Sequence, residues 1–404
     1  MTWPMKPLSE LCELAIDCVN KTAPVVDGPT PYKMIRTTNV KGGFIDAKTV
    51  RYVTKDTFDK WTRRSRPQYG DVILTREAPV GEVGRCTFDD SQNIFLGQRL
   101  FQYRPKPELL DWNYLAYALQ SPVVQNKLHG VSFGATVPHV KVGDAEDLHI
   151  PCPELGAQKY IGETLAAYDD LIENNQRRIA LLEESARLLY REWFVNLRFS
   201  GHESVPKANG IPEGWIRRPI SEMVSINPKA HFDKDRIYPF VPMQALSENS
   251  MIIDGIEERV ISGGAKFQNH DTLLARITPC LENGKTGFVQ FLDRNNPVAS
   301  GSTEFIVMRG VTVSPYWVYC TARDESFRRH AIGSMVGSDG RQRVNPKCFD
   351  SYLAFQPPGN VLNDFDETVG SMFKEVHELS SMNQGLLEAR NALLPKLMSG
   401  EIQV

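Results

Sequence analysis

Apolar residues recur at alternating four- and three-residue spacing along two long stretches of the chain. The first stretch runs from about Leu155 to Phe194, and the second occupies the end of the chain from Val361 onward. Such spacing over more than four heptads predicts a helix that buries one apolar seam against a partner helix. At 1.5 Å per residue, the first helix would be about 55–60 Å long. The seam positions are Ile161, Leu165, Tyr168, Ile172, Ile179, Leu182, Ala186, Leu189 and Trp193, then Val369, Met372, Val376, Leu379, Leu386, Leu393 and Leu397.

Polar residues interrupt both seams. Asn175 is the polar occupant of the first seam, and Asn383 and Arg390 interrupt the second. Two helices of matched length in one chain can pair antiparallel, and a buried Asn would then fix their register because only one alignment satisfies its amide. The alternative is that these Asn side chains lie on the helix surface and that the seam has been placed in the wrong phase.

The sequence before each helix has a different character, with short β-rich runs such as Asp71–Thr75 broken by Gly and Pro. Four pairs of segments match in the same order, which indicates two tandem copies of about 200 residues. The matched segments start at Trp3 and Trp215, Gly70 and His270, Ala78 and Thr278, and Leu181 and Leu386.

These patterns predict an α+β fold in which two globular α/β-mixed parts are separated by two long antiparallel paired helices, with a pseudo-two-fold internal repeat. The predicted boundaries are 1–153 for the first globular part and 154–199 for the central helical spacer. The second globular part spans 200–360, and the carboxyl-terminal helical spacer spans 361–404.

Composition narrows the class of protein. At 404 residues the chain should form two or more domains, and it contains no apolar run of the roughly 20 residues that a membrane helix needs. The seven cysteines are scattered and form no C-x-x-C pair, which argues against a disulfide framework and a zinc ribbon. The amino terminus has no leader pattern, so we expect a cytoplasmic protein without membrane association.

The net charge of -3 does not indicate a nucleic-acid binder, but the distribution of charge does. Residues 30–105 carry 14 basic and 8 acidic side chains, and residues 216–355 carry 17 and 15. The helical stretches are acidic instead, with 5 basic and 8 acidic residues in 154–195, and 3 and 7 in 361–404. Two basic regions therefore alternate with two acidic ones, and a basic face is what phosphate contact requires. Ordinary fluctuation of surface charge is the alternative.

Catalytic motifs are missing from the sequence. Gly284-Lys285-Thr286 resembles the end of a phosphate-binding loop, but Pro279 stands where that motif needs glycine, and Asn283-Gly284 reads as a β-turn. The chain contains no G-x-G-x-x-G after a strand, no G-x-S-x-G, no Asn/Asp-Pro-Pro-aromatic tetrapeptide and no histidine pair at metal-ligand spacing. We therefore expect a non-catalytic protein that binds no metal.

Three segments resemble those of a known family. The run LLEESARLLYREWFVNLRF, residues 181–199, looks like the central region of Type I restriction-modification specificity subunits. The ending ALLPKLMSGEI, residues 392–402, resembles their distal region, and IPEGW, residues 211–215, resembles the entry to their second recognition domain. The likeness covers essentially the whole chain.

The resemblance implies that each globular part is a target-recognition domain reading one half of a bipartite, asymmetric site in double-stranded DNA. The paired helices would set the unread gap and dock two methyltransferase (modification) subunits. This chain would bind no cofactor itself. S-adenosylmethionine would be bound by the methyltransferase subunits, and ATP and Mg would belong to the partner subunits, which include a restriction/translocase subunit.

Candidate DNA-binding residues are polar or cationic side chains that loops could present to groove edges or phosphates. They are Arg36, Thr38 and Lys41; Arg63 and Arg64; Thr136 and His139; Arg341, Gln342 and Arg343; and the repeat-equivalent pair Arg76 and Arg276. Each has a structural alternative. Arg63 and Arg64 could form a solvated turn, His139 could cap the next segment, and Arg76 and Arg276 could form ion pairs within their domains.

The candidate contacts between helices, or with partners, are the seam residues themselves. They are Ile161, Leu165, Ile172, Asn175, Leu182, Leu189, Trp193, Val376, Leu379, Asn383, Leu386 and Leu393. A competing interpretation of the whole chain is a coiled-coil adaptor whose globular parts bind protein without DNA specificity. Steep salt dependence of DNA binding would separate the two interpretations.

Overall fold

The computed structural model describes residues 3–88, 92–132, 138–233, 236–260, 263–337, 341–402 and 404. The chain forms two compact units. Unit 1 consists of residues 1–173 and 384–404, and unit 2 consists of residues 174–383. The domain boundaries predicted from the sequence kept the helices apart from the globular parts, and they remain a prediction.

Unit 1 is built from short strands and helices followed by one long helix. Its strands are β1 (Met5–Pro7), β2 (Cys12–Asp17), β3 (Lys33–Ile35), β4 (Val40–Lys41), β5 (Phe44–Ile45), β6 (Arg51–Tyr52), β7 (Val72–Arg76), β8 (Val80–Arg85), β9 (Ile94–Leu96), β10 (Leu100–Pro105) and β11 (His149–Pro151). Its helices are α1 (Leu8–Leu11), α2 (Lys55–Trp61), α3 (Trp112–Gln120), α4 (Pro122–Val131), α5 (Val142–Glu146) and the first half of α6 (Leu155–Tyr190).

Unit 2 continues from α6 through a π-helical turn, Arg191–Val195. Its strands are β12 (Lys207–Ala208), β13 (Ile211–Pro212), β14 (Ile216–Pro219), β15 (Val224–Ile226), β16 (Ile237–Val241), β17 (Glu257–Val260), β18 (Ala265–Gln268), β19 (Thr272–Ala275), β20 (Thr286–Phe288), β21 (Val298–Gly301), β22 (Phe305–Gly310), β23 (Met335–Val336), β24 (Arg343–Val344) and β25 (Leu353–Gln356). Its helices are α7 (Ile220–Met223), α8 (Pro315–Arg323), α9 (Glu325–Gly333) and most of α10 (Gly359–Ser399).

Each unit contains a four-stranded antiparallel sheet, and the two sheets have the same strand order. The order is β2, β10, β7, β8 in unit 1 and β15, β22, β19, β20 in unit 2. Each unit also contains a further antiparallel strand pair. In unit 1 β1 pairs with β11, the strand before α6, and in unit 2 β14 pairs with β25, the strand before α10. A parallel pair also recurs, β3 with β9 and β16 with β21.

Both faces of these sheets are buried, which explains why their central strands read as nearly continuous apolar runs. Val72 and Leu74 of β7 belong to one apolar cluster, whereas Ile73 between them belongs to another. In unit 2 Leu274 and Leu273 divide in the same way. Alternate residues of a strand point to opposite faces, so each sheet separates two cores.

A buried aspartate precedes the same strand in both units. Asp71 accepts from Nε and Nη2 of Arg104 at 2.8 and 2.9 Å, and Asp271 accepts from Nε and Nη2 of Arg309 at 2.6 Å. Both carboxylates are fully buried, so the bidentate pairing offsets the desolvation of the charge. This interaction explains why the Gly70-Asp71 and His270-Asp271 segments match in the sequence.

The two long helices extend as the seam pattern predicted, with α6 containing 36 residues and α10 containing 41. In unit 2 they run antiparallel, because Asn175 lies beside Asn383 and Arg178 forms an ion pair with Glu375. Asn175 is 1% exposed, and its Nδ2 donates to Oδ1 of Asn383 at 2.9 Å. The two Asn residues therefore meet in the seam and do not lie on the helix surface.

A second polar contact joins the helix segments of unit 1. Nη1 of Arg390 donates to Oδ1 of the buried Asp169 at 2.7 Å, and the Tyr117 hydroxyl donates to Oδ2 of the same carboxylate at 2.6 Å. The end of α10 then enters the apolar core of unit 1 through Leu397 and Met398. The final residues of the chain thus complete the first unit.

Replacing one member of the Asn pair should cost more than replacing both. Asn175→Leu would remove the amide that donates to Oδ1 of Asn383 in the seam, so we expect the free energy of unfolding to fall by about 1–3 kcal/mol. Asn175→Leu combined with Asn383→Leu removes both amides, and it should recover most of this loss. Urea unfolding followed by helical circular dichroism measures the effect. The Asn383→Leu single variant completes the comparison. If the double variant loses as much free energy of unfolding as the two single variants together, the amides do not interact.

Candidate nucleic-acid interface

In unit 1 the predicted residues Arg76 and His139 meet at the end of strand β7. His139 forms an isolated antiparallel bridge with Glu77, and the backbone N–H of Val140 donates to the carbonyl of Arg76 at 3.0 Å. The segment beginning at residue 138 is therefore held against the strand end, and His139 is half-buried there. Thr136, a further candidate on this loop, lies outside the described residues.

Asp17 connects two candidate arginines. Its Oδ1 accepts from Nη1 of Arg64 at 2.8 Å, and its Oδ2 accepts from Nη2 of Arg76 at 3.2 Å. Arg76 also donates through Nη1 to the carbonyl of Val140 at 2.7 Å and is only 9% exposed. Arg76 therefore forms the structural ion pair that was its alternative interpretation, whereas the side chain of Arg64 is half-exposed and that of Arg63 is exposed.

The turn after strand β3 carries the remaining candidates of unit 1. Arg36 is half-buried, whereas Thr38 and Lys41 are exposed. Asn39 is buried and shapes the turn, because its Oδ1 accepts from the backbone N–H of Arg36 and its Nδ2 donates to the carbonyl of Thr49. The exposed side chains of this turn are thus presented on a backbone with its own hydrogen-bonded support.

Unit 2 repeats the arrangement at the end of strand β19. Arg343 forms an isolated bridge with Ile277, and the backbone N–H of Val344 donates to the carbonyl of Arg276 at 2.9 Å. Gln342 is tied twice to Thr278, through its backbone carbonyl and through its N–H to Oγ1, each at 3.1 Å. The loop containing Arg341, Gln342 and Arg343 therefore lies against the segment that follows strand β19, beginning at Arg276.

The three side chains of this loop differ in their freedom. Arg341 is exposed, whereas Nε and Nη2 of Arg343 donate to Glu304. The hydrogen bonds from Arg343 hold the pKa of the Glu304 carboxyl below its usual value, so the carboxyl stays ionised at neutral pH. Arg343 is thus anchored to Glu304 although its side chain is 42% exposed, whereas Arg341 is an exposed cation of the same loop.

The predicted helix residues divide between the two units. Ile161, Leu165 and Leu393 pack in the core of unit 1. Leu182, Leu189 and Trp193 are half-buried against the core of unit 2, where Val376 and Leu379 are fully buried. Ile172 is also buried, and Leu386 is half-buried. These side chains therefore stabilise the chain's own fold.

Sequence reasoning missed the acidic partners of the arginines. Asp17 and Asp169 gave no signal of their own, since a lone acidic residue in a strand or a helix has the character of a surface residue. The interruption of the seam by Arg390 was the available clue, because a buried cation needs a carboxylate nearby.

In the part of the chain that the structure describes, no helix could span a membrane and no cluster of side chains could hold a metal ion.

Together these features define a protein of two α/β units, each with a polar loop held at the same strand end, linked through two long helices. Residues 1–184 match the family model of the Type I restriction modification DNA specificity domain. The resemblance stated from the sequence is thereby confirmed, and the chain is similar to the specificity subunits of Type I restriction enzymes.

Two relatives and one solved structure illustrate the likeness. The MjaIX specificity subunit of Methanocaldococcus jannaschii is 24% identical over 370 residues, which are 88% of this chain and 82% of the relative. The StySPI specificity subunit of Salmonella potsdam is 27% identical over 397 residues, which are 91% of this chain and 82% of the relative. The S subunit of a Type I restriction-modification system from M. genitalium shares the fold, with a TM-score of 0.60, 13% identity, and coverage of 98% of this chain and 96% of that chain.

Removing Asp17 should destabilise unit 1 far more than removing Arg64. Asp17→Ala leaves the charge of the buried Arg76 unpaired, so we expect a loss of about 3–5 kcal/mol in the free energy of unfolding. Arg64→Ala removes only the half-exposed partner of the same carboxylate and should cost about 0–1 kcal/mol. Urea unfolding compares the two variants. Equal losses would mean that Arg76 does not depend on Asp17.

Proposed function

We propose that this chain is the DNA-reading subunit of a Type I restriction-modification complex and that it catalyses no reaction itself. The observation that carries the proposal is the recurrence of one arrangement, a polar loop pinned to the end of the third strand of an equally ordered sheet, in both units. A duplicated recognition module of this kind suits a bipartite, asymmetric DNA site, with each copy reading one half. The family match of residues 1–184 supports the same role.

We further propose that the two long helices set the number of unread base pairs and dock two methyltransferase subunits. Each helix begins in one unit and ends in the other, so its length is a fixed quantity that the chain can use as a ruler. The net negative charge of both helical stretches suits protein partners better than DNA phosphates. S-adenosylmethionine, ATP and Mg would be bound by the partner subunits, which include a restriction/translocase subunit.

Methylation mapping tests the proposal directly. The chain is co-expressed with its methyltransferase subunit, and the methylated positions in the host DNA are determined by sequencing. A bipartite motif with a constant unread gap is the expected result. Methylation that is independent of this chain would remove the DNA-reading role.

Exchanging residues 1–150 for the corresponding part of a relative should alter one half of the methylated motif and preserve the other. The exchanged part carries the strand-end loop of unit 1 but leaves both long helices intact. Methylation mapping of the hybrid gives the result. A change in both halves would contradict independent reading, and the exchange of residues 200–358 provides the reciprocal control.

Lengthening both helices together should lengthen the unread gap. One heptad inserted after Glu173 and one inserted before Gln384 preserve the seam phase and the antiparallel partners on either side. Seven residues add about 10 Å of helix, which corresponds to roughly three base pairs of DNA. The same methylation mapping measures the gap. A heptad inserted in α6 alone is the control, because it shifts the register of α6 against α10. If the double insertion leaves the unread gap unchanged, the helices do not set the length of the gap.

A further inference from the structure

Unit 2 contains a cavity of about 550 Å³ lined by three cationic side chains, those of Lys229, Lys266 and Arg276. We call it the Arg276 cavity. Asn227, Pro228 and Phe305 also line it, and none of the described lining residues is acidic. A cavity of this size is on the scale of sites for small ligand groups. Its excess of positive charge points to an anion.

Strand pairing shows what differs from the corresponding place in unit 1. In unit 1 Tyr103 pairs with Ala15 and with Val72, and in unit 2 Met308 pairs with Ile226 and with Thr272. Because these pairs occupy the same places in equally ordered sheets, Ala15 corresponds to Ile226. Two residues further along the sequence, unit 1 has Asp17, which still belongs to β2, whereas unit 2 has Pro228, which lies beyond the end of β15 and follows Asn227 with its positive φ of 52°. Unit 2 thus has no acidic residue at this place in the sequence.

As a result, Arg276 of unit 2 lacks a carboxylate like the Asp17 that pairs with Arg76 in unit 1. Arg76 pairs with Asp17, whereas the buried Nε of Arg276 has no hydrogen-bond partner among the described residues. Glu304 is the carboxylate that interacts electrostatically with Arg276, but its oxygens accept from Arg343. In unit 1 Asp17 forms ion pairs with both Arg76 and the half-exposed Arg64, whereas in unit 2 the hydrogen bonds to the Glu304 carboxylate come from Arg343.

The two lysines of the cavity keep their charge available. Nζ of Lys266 lies 4.9 Å from the ring centroid of Phe232, a contact that orients the ammonium group without neutralising it. Lys229 is exposed and lines the same cavity. Three cationic residues that line one cavity repel one another, and an anion bound there would relieve this repulsion.

We propose that the Arg276 cavity binds a phosphate of the DNA backbone and thereby positions unit 2 on the duplex. The proposal rests on the DNA-reading function proposed above and assigns to Arg276 a role that Arg76 does not share. A phosphodiester suits the site because arginine and lysine together bind phosphate strongly and without regard to sequence. Base reading requires side chains that project into a groove, and a concave site favours a protruding backbone phosphate instead.

A duplex of random sequence is the right probe, because phosphate contacts supply nearly all non-specific affinity. The full chain is titrated with the fluorescently labelled duplex at several KCl concentrations, and the slope of log K against log salt concentration is measured. Arg276→Gln should weaken binding roughly tenfold and reduce the magnitude of the slope by about 0.9, the value for one lost phosphate. Lys266→Gln should act in the same direction.

Pro228→Asp is the sharpest variant, because it removes no cation. Pro228 lines the cavity together with Arg276, so the new carboxylate would offset one of its positive charges, and the same decrease in the magnitude of the slope is expected. Arg329→Gln is the matched control. It removes one exposed positive charge of the same unit, outside the cavity, where Arg329 pairs with Glu325, and it should leave the slope unchanged.

The outcomes separate this proposal from the one on which it rests. If the wild-type chain shows no salt-dependent binding, the DNA-reading function fails. If wild-type binding is steeply salt-dependent but Arg276→Gln and Lys266→Gln keep the full slope, only the phosphate site is refuted. Weaker binding with an unchanged slope would assign an uncharged group, such as a base, to the cavity and would also overturn the proposal. Should Pro228→Asp fail to fold, the two Gln variants decide.

Discussion

The antiparallel pairing of α6 and α10 is the constraint on which the rest of the structure depends. Unit 1 is incomplete without the last residues of the chain, because Leu397 and Met398 belong to its core and the carbonyl of Leu397 accepts from Nε1 of Trp3 at 2.9 Å. The chain must therefore leave unit 1 along α6 and return along α10. Any shift in the register of the two helices would withdraw these residues from the core.

Two polar contacts make such a shift costly. An apolar seam of repeated leucines tolerates displacement by a heptad, because one leucine replaces another, whereas a buried amide or ion pair does not. The Asn175–Asn383 contact fixes the register in unit 2, and the Asp169–Arg390 pair fixes it in unit 1. Each unit therefore sets the alignment of its own helix segments. A ruler function needs this property, because a helix pair that can slip has no defined length.

The sequence predicted the features that depend on residues close together in the chain, and it did not predict most of the contacts between distant segments. The helices were predictable because their spacing repeats over many residues, and the Asn pair because a polar residue in an apolar seam is conspicuous. The sheets were anticipated only as short runs such as Asp71–Thr75, since strand order depends on pairing between distant segments. The partners of Arg76 and Arg390 could not be identified, because nothing near Asp17 or Asp169 in the sequence distinguishes them from solvent-exposed acids.

Arg76 and Arg276 follow the same strand order in the two units, but their side chains have different surroundings. The strand end and the loop pinned to it are maintained in both units by backbone hydrogen bonds, from Val140 to Arg76 and from Val344 to Arg276. Backbone contacts of this kind do not depend on which side chains are present. A carboxylate bonded to the arginine side chain can therefore be present in unit 1, as Asp17, and absent beside Nε of Arg276 in unit 2, while the loop is held in both. The two units therefore have similar frameworks with different charges around each strand end, as the proposed reading of two different half-sites would require.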